Sequence, residues 1–65
     1  MWVVIYIAEG CGPSERVRAL LEDEGIVVRV RPVYKNVPAE KNNYQIAVLE
    51  EETGVAGEVL AENGF

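Results

Sequence analysis

Cys11 is the only cysteine in this 65-residue chain, and there is no histidine. It sits in Gly10-Cys11-Gly12-Pro13-Ser14, between an apolar run and a helix-patterned segment. A cysteine at a helix N-terminus meets backbone N–H groups and the positive end of the dipole, which favour the thiolate. The same turn suggests a second chemistry. Gly10 and Gly12 open a path to backbone amides that can hold an anion, although neither the dinucleotide fingerprint nor the P-loop lysine is present. Arg29 and Arg31 recur at strand spacing, with Lys35 just beyond. Guanidinium groups suit carboxylate or phosphate. The plainer reading is a solvated strand face that also discourages edge pairing.

The elements around these residues are legible. Trp2 to Ala8 reads as a strand apolar on both faces, with Val3, Ile5 and Ile7 on one side and Trp2, Val4 and Tyr6 on the other. Such a pattern fits a strand covered on both sides. Gly12 is placed to cap the first helix, with Pro13 at its first position and Glu15 in its first turn. Val17, Leu20 and Leu21 form its inward stripe, and Gly25 its C′ residue. Ile26 to Arg31 reads as a second strand, with Ile26, Val28 and Val30 sharing one face. Residues 32–43 hold two prolines and three asparagines and read as a loop. Tyr44 to Leu49 is the third strand. Glu50-Glu51-Glu52 is expected to open a second helix striped by Val55, Ala56, Val59 and Leu60 and ended by Gly64. The acidic run lacks the interleaved ligand spacing of a calcium loop.

The order β-α-β-β-α predicts one domain over 1–65. Its class is α+β, a ferredoxin-like fold without its last strand. The three-stranded mixed sheet runs in the order 1-3-2, with both helices on one face. The other face then lacks a cover. Trp2, Val4, Tyr6 and Tyr44 are the interface candidates. A symmetric second copy joined through strand one or the open sheet face is expected, and the contact surface is expected to take in the helix-free face and the 32–43 loop.

Composition limits the function classes. Net charge is −5, from eleven acidic and six basic residues, which argues against nucleic acid and anionic membranes. One cysteine and no histidine cannot build a structural zinc site. No cofactor is expected. The apolar N-terminal run has no positive n-region and is too short for a bilayer span. With its lone thiol, the chain is expected to be cytoplasmic.

Residues 3–31 resemble the β-α-β opening of glutaredoxin- and thioredoxin-like proteins, where a C-x-x-C or C-x-x-S motif occupies this turn. The resemblance implies Cys11 as nucleophile, with Ser14 in place of the resolving thiol and a mixed-disulfide mechanism. The chain departs from that family after residue 31. Val37-Pro38 is followed by Ala-Glu-Lys-Asn-Asn, not by the strand that follows the family's cis-proline. A further hairpin strand and helix have no room.

The whole chain resembles short bacterial β-α-β-β-α proteins of or near the prokaryotic signal-transducing protein family. The matching stretches are Trp2–Ala8, Leu20–Val28, Arg31–Val33, Tyr44–Glu50 and Ala56–Glu62. That resemblance brings no catalytic residues with it and implies a small binding or regulatory module. Some similar proteins carry the label glutamate decarboxylase. A pyridoxal enzyme needs a large fold and a Schiff-base lysine in a formed pocket, whereas Lys35 and Lys41 both fall in the 32–43 loop. The expectation is therefore a non-enzymatic homodimer or a partner of another protein. A monothiol redox protein using Cys11 and a sensor of small anionic ligands are the alternatives.

Overall fold

A computed structural model describes residues 1–65. The elements are β1 (Trp2–Glu9), α1 (Cys11–Asp23), β2 (Val28–Pro32), β3 (Asn43–Leu49) and α2 (Thr53–Glu62). Short 3-10 turns over Ala39–Lys41 and Glu50–Glu52 precede β3 and α2. The sheet order is β1-β3-β2, as expected from the sequence. β3 runs antiparallel to both neighbours. Every paired strand is therefore antiparallel, and the sheet is not mixed in its hydrogen bonding.

The core forms between the two helices and one face of the sheet. Val17 and Leu21 of α1 meet Ile46 and Val48 of β3 and Ala56, Val59 and Leu60 of α2, with Ile26 at the base. Alternation along β3 sends Tyr44, Ile46 and Val48 toward the helices and Gln45, Ala47 and Leu49 to the opposite face. No helix is long and apolar enough to cross a membrane.

Both helices end in the same way. Ile26 N–H donates to Leu21 O at 3.1 Å, and Gly25 N–H donates to Glu22 O at 2.9 Å. Phe65 N–H donates to Leu60 O at 2.9 Å, and Gly64 N–H donates to Ala61 O at 3.3 Å. These are two Schellman motifs, with Gly25 (φ 79°) and Gly64 (φ 82°) left-handed at C′. The first brings Ile26 into the core beside Leu21. The second brings Phe65 edge-on to Tyr6, with ring centroids 5.7 Å apart and planes at 90°.

Four sequence expectations are corrected here. Alternation fails along β1: Val4 pairs with Ala47 and Tyr6 with Ile46, so Ile5 is a bulge with no partner. Ile5 and Tyr6 both pack on the core, and Ile7 is turned to the helix-free face. Second, β1 is covered on one face only, as the expected 1-3-2 order with both helices on one face requires and against the two-sided apolar pattern along the strand. Third, α1 begins at Cys11 with Gly10 as its N-cap, two residues before the expected Gly12. Pro13 falls at the third helical position, where its missing N–H has no acceptor to lose. Glu15 then lies beyond the first turn and pairs with Arg18. Fourth, Glu50–Glu52 form a separate 3-10 turn. Val55 lies at the margin of the α2 stripe and stays half exposed, while Ala56, Val59 and Leu60 are buried.

Candidate functional site

The turn after β1 brings Gly10, Cys11, Gly12 and Ser14 to the N-terminus of α1, as the sequence implies. Its surroundings limit what it can do. Gly10 N–H donates to Asn42 O at 2.8 Å, so that amide is already used. A Cβ on Gly10 would stand 3.3 Å from Glu40 O. Two carbonyl oxygens from the Ala39–Lys41 turn and its end therefore crowd the place where an anion would meet Gly10. Cys11 is an exposed free thiol. Ser14 is only 3% exposed, so the position that a resolving thiol would occupy is inside the protein. No hydrogen bond joins the two side chains. Nor does the structure gather three or more His, Cys, Asp or Glu side chains into a metal-holding group.

Arg29 and Arg31 lie on the helix-free face, opposite Ala47 and Gln45 of β3. The sheet stands between them and the α1 N-terminus. The residues proposed as one anion site thus fall on two faces and do not converge.

The helix-free face is the more coherent surface. Trp2, Val4 and Ile7 of β1, with Ala47 and Leu49 of β3, form an apolar strip along one half of it. Trp2, Val4 and Ile7 are 38%, 47% and 48% exposed, large values for apolar residues within a strand. Trp2 and Val4 are where the sequence put them. Tyr6 and Tyr44 are not. The bulge turns Tyr6 to the core, and Tyr44 packs on the core side while its hydroxyl donates to Ala39 O at 2.9 Å. Ile7 and Leu49 take their places on the strip. Nothing in the alternating pattern of so apolar a strand signals that exchange.

The 32–43 loop, expected to share the contact surface with the sheet face, holds a third feature that its composition does not reveal. The connection after β2 borders a groove of about 620 Å³ beside Arg31, Tyr34, Lys35, Asn36 and Asn42. The Asn42 side chain is 4% exposed and holds the loop. Its Oδ1 accepts from Tyr34 N–H at 3.1 Å and from Asn43 N–H at 2.8 Å, and its Nδ2 donates to Tyr34 O at 2.8 Å. The three asparagines that marked this stretch as a loop were the available signal. Their count did not reveal that one of them is a buried clamp.

Comparison of the chain with protein-family models, with curated proteins and with solved structures gives no match.

Proposed function

We propose that this chain is a non-catalytic binding and regulatory module that works as a homodimer, joined through the helix-free face of its sheet. The reading rests on one observation: the exposed Trp2, Val4 and Ile7, beside a half-buried Leu49, on a face that no helix of the chain covers. A contiguous apolar surface on a small protein is more often an interface than idle surface.

Charge favours a second copy as the cover. Two molecules of net charge −5 repel wherever their acidic residues meet. Of the eleven acidic residues, only Glu9 lies on this face; the other ten are on the helices, turns and loop. Arg29 and Arg31 share the face with it. Two copies meeting on this face keep their acidic helices and turns apart. Stacking two such sheets about 10 Å apart gives a two-layer interior with the helices outside. The bulge at Ile5 makes the β1 edge a poorer template for strand addition, which favours the face over the edge. The residues with reactive chemistry are dispersed, in keeping with a module that acts by contact.

Sedimentation velocity across a wide concentration range tests this. The wild-type chain is expected to pass from monomer to dimer. Val4→Lys and Ile7→Lys, both at exposed positions, are expected to stay monomeric with unchanged circular dichroism. A wild-type chain that is monomeric throughout, or lysine variants that still dimerise, would refute the reading.

A further inference from the structure

We propose that the groove beside residues 33–42 binds a nucleoside monophosphate, with Arg31 and Lys35 on its phosphate and Tyr34 against its base. The first support is an order without an internal reward. The connection after β2 is fastened at both ends, by Val33 N–H to Asn43 O at 2.8 Å and by the Asn42 amide on both the N–H and the C=O of Tyr34. Fixing backbone in this way costs about 1–2 kcal/mol per residue. It is normally offset by burying the side chains so placed. Here Tyr34 remains 54% exposed, and Asn36 holds a left-handed φ of 59°. A long ordered loop that buries little of its own surface is characteristic of a binding loop.

The second support is charge without a partner. The one ion pair in the structure joins Arg18 to Glu15. Arg31 and Lys35 therefore line the groove with no carboxylate paired to either. Two such cations match the charge of a phosphomonoester, and the guanidinium fork and the ammonium supply directional donors to its oxygens. The Tyr34 ring offers a face on which a planar base stacks, and the Asn36 amide adds a donor and an acceptor. The volume of about 620 Å³ is that of a small-molecule site. The chain's net charge of −5 disfavours a nucleic acid in the same groove, because a polyanion extending beyond it is repelled by the chain as a whole.

The test is calorimetric titration with AMP and UMP, alongside inorganic phosphate and adenosine, for the wild-type chain and for Arg31→Gln, Lys35→Gln and Tyr34→Leu. The nucleotides are expected to bind at least about tenfold more tightly than phosphate or adenosine alone, and each substitution is expected to weaken them. No nucleotide binding overturns the proposal. So does phosphate binding equal to that of the nucleotides, or nucleotide affinity unchanged in Arg31→Gln and Lys35→Gln. Arg31 also lies on the helix-free face, so Lys35→Gln and Tyr34→Leu, both at loop positions, are the variants whose results stand apart from the dimer measurement.

Discussion

The guanidinium carbon of Arg29 lies 5.3 Å from the centroid of the Trp2 ring, reaching from β2 across the central strand to β1. Ala47 makes that reach possible. It pairs with Arg29 on one side and with Val4 on the other, and it is only 7% exposed. A methyl group in the centre of the sheet leaves room for the arginine to lie over it. The contact combines the pull of the indole quadrupole on a cation with packing of the arginine stem on apolar surface.

Arg29→Ala should therefore destabilise the fold by about 0.5–1 kcal/mol, the usual size of such a contact at an exposed site. It should also change Trp2 emission. Arg29→Lys should recover part of the loss, because a cation remains but the planar group does not. Ala47→Leu should match Arg29→Ala in its effect on emission, since a larger residue in the middle strand displaces the arginine. Urea melts followed by tryptophan fluorescence measure both quantities. Emission unchanged in all three variants would exclude the contact.

The parts of the molecule that the sequence reveals are those where a pattern carries phase. In α1, Arg16 and Arg18 flank Val17, and Glu22 and Asp23 follow Leu20-Leu21, so the inward face can be read, and Val17 and Leu21 are buried as expected. Gly25 and Gly64 mark helix ends because only a left-handed residue completes the Schellman bonds. β1 is different. Trp2-Val3-Val4-Ile5-Tyr6-Ile7 has no polar residue to fix which side faces in. A one-residue bulge there reverses the facing of everything after it without any mark in the composition. Strict alternation puts Tyr6 on the face of Trp2 and Val4 and Ile7 on the opposite one, and the bulge exchanges them. The loop clamp escaped for a related reason: Asn42 acts through burial and three hydrogen bonds to residues up to eight positions away. Spacing does not encode that.

The two glycines that flank Cys11 are predicted to behave in opposite ways. Gly10 has φ 96°, and a Cβ there would stand 3.3 Å from Glu40 O. The obstacle is backbone held by its own turn, so it cannot swing aside as a side-chain end would. Gly10→Ala should cost about 1–3 kcal/mol from the disfavoured dihedral, with the close contact adding to it. Gly12 lies inside α1 with nothing within 4 Å of its missing Cβ. Gly12→Ala should be neutral or should stabilise by up to about 1 kcal/mol, since alanine restricts the unfolded chain and suits a helix. Chemical denaturation of the pair checks this. Equal effects of the two substitutions would contradict the Gly10 geometry.

Asn42 offers a sharper dissection, because its two side-chain atoms do separate work. The oxygen accepts from Tyr34 and Asn43 N–H, and the nitrogen donates to Tyr34 O. Asn42→Ala leaves all three backbone groups without a partner and should cost about 1–3 kcal/mol if they stay buried. The loss should be local as well as global. Amide exchange at Tyr34 and Asn43 should accelerate well beyond that at Leu21 or Val48, which lie in the core away from the loop. Asn42→Asp keeps both acceptor bonds and loses only the donor. It should protect the Tyr34 and Asn43 amides while setting a carboxylate oxygen against Tyr34 O, an unfavourable approach of two acceptors. Protection at those two amides in Asn42→Asp, together with its loss in Asn42→Ala, would locate the hold on the loop in the side-chain oxygen. Loss in both would locate it in the Nδ2 bond to Tyr34. Protection in both would mean that the bond from Val33 N–H to Asn43 O suffices, and that the amide clamp is not what orders the groove.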